Sequence, residues 1–175
     1  SDLVETELLP LTDAAGRWAA EDVIALRAQP ARDLSAMDGY AIRFADKGGP
    51  WKVIGESAAG KRFRGTVAAG EAVRILTGAV VPEGSERVLP QELVTVEGTE
   101  IELVKPCGPN AWIRQPTEEA APGQELVPAG QRLGVADLGR LASCGVQQLR
   151  VTRRPRLGLL ISGDELLPGG VERGP

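Results

Sequence analysis

The sequence predicts a β-rich α+β fold, and three observations carry the prediction. Glycine and proline supply 22 and 13 of the 175 residues, well above their usual combined share of about 12%. A chain punctuated so often runs in short strands joined by tight turns. Short apolar stretches recur between those turns, several with the alternation of a half-buried strand. Only the segment from Val135 to Cys144 changes to a helical period.

From the N-terminus, Thr12 to Gly16 reads as one helical turn, capped by Thr12 and stopped by Gly16. Val23 to Arg27 and Ala36 to Phe44 read as extended. Strand and turn signals then dominate from Asp46 to Arg132, with strands expected at Lys52 to Ser57, Ala72 to Leu76 and Arg87 to Leu89. Leu93 to Val96 and Glu100 to Val104 alternate on either side of Glu97-Gly98-Thr99, the clearest hairpin in the chain. In the helical segment Val135, Leu138, Leu141 and Ala142 fall on one face, and Gly145 ends it. Gln148 to Val151 reads as a strand and Arg153 to Arg156 as a polar junction. Leu157 to Ile161 has the continuous apolar pattern of a strand buried on both faces. A buried strand leading into Ser162-Gly163-Asp164-Glu165 is how an α/β domain begins. Such a domain needs on the order of 100 residues, so the chain is expected to be part of a longer protein.

Composition narrows the chemistry. With 42% hydrophobic and 25% charged residues the chain is globular in character, and with few aromatics its core must rest on Val, Leu, Ile and Ala. No stretch approaches the ~20 apolar residues of a membrane span. A net charge of −4 disfavours nonspecific nucleic-acid binding. The local exception, Arg150, Arg153, Arg154 and Arg156, could meet a phosphate or form a solvated junction between domains. Cys107 and Cys144 form no Cys-x-x-Cys pair, which argues against structural zinc. Two ordinary thiols suit a cytoplasmic protein. There is no histidine, so the commonest general base and transition-metal ligand is missing. Chemistry must come from carboxylates, hydroxyls, arginines, backbone amides or a hard cation bound by oxygen.

Ser35-Ala36-Met37-Asp38-Gly39-Tyr40-Ala41 is the most informative stretch. Asp38 sits among Ala36, Met37, Tyr40, Ala41 and Ile42, which read as half buried. A carboxylate there needs a donor, a metal or a turn to satisfy it, and a plain Asp-Gly turn is the structural alternative. Thr77-Gly78-Ala79 follows a strand, so its hydroxyl and amides could hold an oxyanion or form a β-turn before Pro82. Arg74, close by in sequence, could assist or lie on the surface. Glu165 follows the apolar run Leu157 to Ile161, where ligands of open α/β sheets collect. It could equally be an acidic residue at a helix N-terminus.

These segments together resemble the molybdopterin molybdenumtransferases, the MoeA-like family that includes the gephyrin E domain. The resemblance runs in order from Leu9-Pro10-Leu11 through Ala15-Gly16-Arg17, Ala20-Glu21-Asp22-Val23 and the Asp38 motif. It continues through Gly70 to Ile75, Thr77-Gly78-Ala79, Pro82-Glu83-Gly84 and Gln91-Glu92 to Leu141-Ala142-Ser143, Arg154-Pro155-Arg156 and Gly163-Asp164-Glu165-Leu166. It implies an elongated first domain built from residues 1–35 and 133–154. A β-rich domain, 36–132, would be inserted into it, and 155–175 would open a truncated α/β molybdopterin-binding domain.

The resemblance also implies a site and a reaction. Asp38, Thr77, Glu119 and Glu165 become the catalytic candidates, with Thr77 and Gly78 binding ligand and with Asp38 and Glu165 holding Mg²⁺. The full-length protein would insert molybdate into adenylylated molybdopterin and release AMP, as a homodimer whose cleft lies between subunits. The fragment alone is expected to be inactive. One piece departs from the family pattern: after Asn110 and Arg114, Thr117 and Glu119 stand where the family has Gly and Asp. Altered or lost activity, as in a divergent paralogue, and a non-enzymatic dimerisation or scaffold module are therefore the alternatives.

Overall fold

The computed structural model describes residues 5–43, 45, 46, 48–160 and 162. Its first half contains β1 (Thr6–Pro10), β2 (Val23–Ile24), β3 (Leu34–Ser35), β4 (Gly39–Ile42), β5 (Trp51–Ser57) and β6 (Glu71–Ile75). The second half contains β7 (Arg87–Pro90), β8 (Val94–Glu97), β9 (Glu100–Leu103), β10 (Ile113–Arg114), β11 (Glu125–Val127), the helix α1 (Val135–Ser143) and β12 (Gln148–Thr152). The chain is thus β-rich with one α-helix among the described residues, as its composition predicts.

Six strands form the main sheet, in the order β7-β4-β6-β5-β9-β8. All neighbours are antiparallel except β5 and β6. Alternation sends neighbouring side chains of a strand to opposite faces, and here both faces are apolar. Tyr40 and Ile42 of β4 join Trp51, Ala72, Leu89 and Ile101 on one side. Ala41 joins Ile75, Ala79, Val81 and Val88 on the other. That is why every residue of β4 and β7 is buried, and why Tyr40, Ala41 and Ile42 are more deeply covered than the sequence suggests.

A separate core gathers the two ends of the described chain. Leu11, Ala14, Ala19 and Val23 pack against Leu126, Leu133, Leu141 and Val151. Ala120, Leu126 and Val127 belong to this cluster, although they lie within the 36–132 segment. Antiparallel pairing of β1 with β12 closes it, from Thr6 opposite Thr152 to Pro10 opposite Gln148.

Several local expectations are corrected. The first turn is a 3₁₀ turn over Leu11–Asp13 that follows Pro10. Thr12 lies inside it, its hydroxyl bonded to Asp13 rather than capping. The 3₁₀ turn stops at Asp13, with Ala14 as its C-cap, and Gly16 lies in the turn that follows, at φ +73°. On α1 the covered positions are Leu138, Leu141 and Cys144; Val135 is 81% exposed and Ala142 is exposed. The helix starts at Gly134, which has no side chain to cap with, and Asp137 accepts the Gly134 N–H at 2.8 Å instead. Leu157 to Leu160 form no strand, and Leu157, Leu159 and Leu160 are almost fully exposed. An apolar run becomes a two-sided buried strand only where strands flank it, and none does among the described residues. Ile161 and Glu165 lie outside the described residues. The arginine cluster is partly absorbed in the β1–β12 edge, where Arg153 pairs with Glu5.

Candidate functional site

Asp38 precedes β4, and the register sets it beside the residues that leave β6, since Gly39 lies opposite Ile75. Its Oδ1 accepts two hydrogen bonds from Thr77, one from the backbone N–H and one from the hydroxyl, each 2.7 Å. The Asp38 carbonyl accepts the N–H of Gln91 at 3.0 Å. These bonds, the Thr77 amide first and its hydroxyl second, hold the Asp38 carboxyl below the usual aspartate range. The charge of Arg74 adds to them, and partial desolvation opposes. Asp38 is thus a fixed carboxylate, with Oδ2 taking no hydrogen bond among the described residues.

Ser35 positions the turn before it. The buried Ser35 hydroxyl donates to the Met37 carbonyl at 2.6 Å and accepts the Met37 N–H at 3.3 Å. The Ser35 N–H bonds to Ala79 O and its carbonyl accepts from Gly78 N, each at 2.9 Å. The Asp38 turn and the Thr77 loop are therefore stitched together along their length. Gly39 is required for a steric reason: a Cβ there would stand 1.9 Å from the carbonyl oxygen of Leu89.

Arg74 is part of this arrangement. Its guanidinium donates to Gly39 O at 3.1 Å and to Gln91 Oε1 at 2.8 Å, and lies 5.2 Å from the centre of the Tyr40 ring. Sequence reasoning left Arg74 undecided and gave Ser35 and Gln91 no role. The signal that could have found them is position, since Ser35 opens the Asp38 motif and Gln91-Glu92 is one of the recurring family segments.

Thr77 and Gly78 differ from expectation in what they offer. Both donors of Thr77 go to Asp38, the Gly78 amide goes to Ser35, and the Ala79 amide goes to Leu76 O at 3.0 Å. The loop expected to hold an oxyanion has used its amides internally, and Thr77 orients the carboxylate instead.

Glu119 is ion-paired with Arg114, and Glu118 adds a longer contact of 3.8 Å to the same guanidinium. The Glu119 carboxylate raises the Arg114 pKa, chiefly through the hydrogen bond between them. The structure brings this pair to β10, where Arg114 lies opposite Leu34 and Ile113 opposite Ser35. It therefore flanks the Asp38 turn and is held by its own partner. Thr117 has φ +68°, a left-handed conformation that is unfavourable for a β-branched residue. The family glycine at this position would adopt it without strain. Of the four catalytic candidates, Asp38 and Thr77 meet directly, Glu119 is held by Arg114 with its backbone against Gln29, and Glu165 falls outside the described residues.

A carboxylate fixed at the edge of a β-rich lobe, on an Asp-Gly-Tyr turn, places the chain among proteins built on this lobe. The chain belongs to the family described as the MoeA N-terminal region (domain I and II), whose model matches residues 2–145. It is 39% identical over 170 residues to a molybdopterin molybdenumtransferase of Haemophilus influenzae, covering 95% of this chain and 42% of that one. It is 29% identical over 178 residues to gephyrin of Dictyostelium discoideum, covering 93% and 25%. In fold it is similar to a molybdopterin biosynthesis MoeA protein of Pyrococcus horikoshii, with a TM-score of 0.85, 31% identity, and 98% and 46% of the two chains covered. The chain thus spans less than half the length of these relatives.

Proposed function

We propose that this chain is the N-terminal part of a molybdopterin molybdenumtransferase, acting in molybdenum cofactor biosynthesis. The full-length protein would take adenylylated molybdopterin and molybdate as substrates, place molybdenum on the dithiolene and release AMP. The observation that carries this reading is the Asp38 carboxylate, held ionised by Thr77 at the family's Asp-Gly-Tyr motif. An ionised carboxylate with one unengaged oxygen suits a hard cation, and both substrates are anions that such a cation would neutralise.

Among the described residues no group of three His, Cys, Asp or Glu side chains is gathered for a metal. Oδ2 of Asp38 would give one oxygen and Glu165 a second. Mg²⁺ accepts so sparse a set because it keeps most of its waters. When bound, it would supply charge neutralisation at the pyrophosphate. Thr77 keeps Asp38 charged and aimed, and Arg74 ties Gly39 to Gln91 behind it. A homodimeric cleft that joins Asp38 of one subunit to Glu165 of its partner belongs to the same reading. So does a cytoplasmic location, which accords with two free thiols. No helix among the described residues is long and apolar enough to cross a membrane.

A second reading has its own observation. Thr117 in a left-handed conformation and Glu119 in place of Asp suit a divergent paralogue of reduced activity, or a non-enzymatic dimerisation or scaffold module. AMP release by the full-length protein, supplied with adenylylated molybdopterin, molybdate and Mg²⁺, separates the two. The transferase reading expects turnover that Asp38→Asn lowers by about 100-fold or more without unfolding the protein. No turnover by the wild type, or an Asp38→Asn variant as active as the wild type, would refute it.

A further inference from the structure

The loop after β6 has spent its amides, so it offers no backbone donors of its own to the anionic substrates of the transferase reading. Three residues beyond Thr77 the same loop borders a cleft of about 430 Å³ lined by Arg32, Arg62, Phe63, Arg64, Val80 and Glu83, among others. That is within the range of small-molecule sites. Arg32, Arg62 and Arg64 are exposed, and among the described residues none of them makes an ion pair or a side-chain hydrogen bond. Glu83 is the one carboxylate in the lining. Positive charge therefore exceeds negative in this cleft, on a chain whose net charge is −4.

The cleft is a built feature. Ser57, fully buried, accepts the Phe63 N–H at 3.3 Å and donates to Val80 O at 2.8 Å, which ties one wall to the other. The Phe63 ring lies over two bare glycines. A Cβ on Gly55 or Gly65 would come within 2.6 or 2.7 Å of its carbons. Arg62 and Arg64 are thus carried on either side of a fixed ring. The cleft is also close to Asp38. Val80 lies at most about 11 Å along the chain from Thr77, and Leu34, which bridges to Val80, stands between Arg32 and Ser35.

We propose that Arg32, Arg62 and Arg64 form an anion subsite that holds the phosphate-bearing end of the substrate handled beside Asp38. Guanidinium groups suit this task because they offer paired donors to phosphate oxygens and stay charged. The assignment rests on the transferase reading for the identity of the substrate, and on the geometry alone for the anion site.

Titration of this chain with inorganic pyrophosphate, followed by calorimetry at low ionic strength, tests it. Saturable binding is expected, weakened about tenfold or more by Arg62→Ala with Arg64→Ala and weakened by added salt. Arg62→Lys with Arg64→Lys should retain part of it, and circular dichroism should match the wild type throughout. Arg32→Gln, on a different segment, should weaken binding independently. No saturable binding by the wild type, or equal affinity in the alanine variant, overturns the proposal. Pyrophosphate binding involves no turnover, so its failure is distinct from an absence of AMP release, which would remove the transferase reading alone.

Discussion

Two donors from Thr77 converge on one oxygen of Asp38, and the consequence is a titration shift with a definite sign. The folded carboxyl lies below the usual aspartate value of about 3.9. A lowered folded pKa contributes stability that is present above the unfolded value and lost as pH falls through the folded one. Asp38 therefore keeps its charge to lower pH than an ordinary aspartate. Thr77→Val removes the hydroxyl donor and keeps the amide. The Asp38 carboxyl, followed by carbon NMR, should then titrate at higher pH, and full-length activity should fall by roughly 10- to 100-fold. An unchanged titration would show that the amide alone holds the group. Glu7 behaves in the same direction for a related reason, its hydrogen bond from the buried Arg17 lowering its pKa.

At the scale of the element, β4 is the strand on which the site depends. It is paired on both edges, with β6 and with β7, so its backbone cannot move aside. Gly39 faces the Leu89 carbonyl so closely that no side chain fits. Gly39→Ala should destabilise the chain by on the order of 3 kcal/mol or more, read as a lower midpoint in urea, and should disturb the Asp38–Thr77 contact. A midpoint within experimental error of the wild type would mean that β7 yields easily. Arg74 projects from the neighbouring β6 to the same spot and binds Gly39 O and Gln91. Three strands or their ends thus converge on one carboxylate. The Thr117 turn, by contrast, carries a left-handed β-branched residue, a local conflict of the kind that collects at functional or divergent sites.

At the scale of the whole molecule, the described chain has one core drawn from its two ends and apolar clusters on both faces of the central sheet. Asp38 stands with the sheet. Glu165, its proposed partner, comes from the far end of the sequence. If a cleft forms between subunits, full-length Asp38→Asn and Glu165→Gln proteins, each inactive, should regain part of the activity when co-expressed, because mixed dimers hold one intact cleft. No recovery in confirmed heterodimers would place both carboxylates within one subunit.

The chain's own residues determined its punctuation and most of its elements. Glycine and proline set the turns, alternation set the β8–β9 hairpin, and a change of period set α1. All of these depend on neighbours within a few positions. β1 carries no such local signal, because Thr6–Pro10 becomes a strand only by pairing with β12, far along the sequence. Leu157 to Leu160 misled because an apolar pattern does not supply its own partners. The candidate site divides in the same way. Asp38 and Thr77 were legible as residue types in a motif, but their contact spans 39 positions. Only tertiary structure could decide it, through the Gly39–Ile75 register. Tertiary structure also decided that the amides after β6 turn inward and that Arg32, Arg62 and Arg64 surround one cleft. Hydrogen bonds and charges act across space, and distance along the chain does not measure that space.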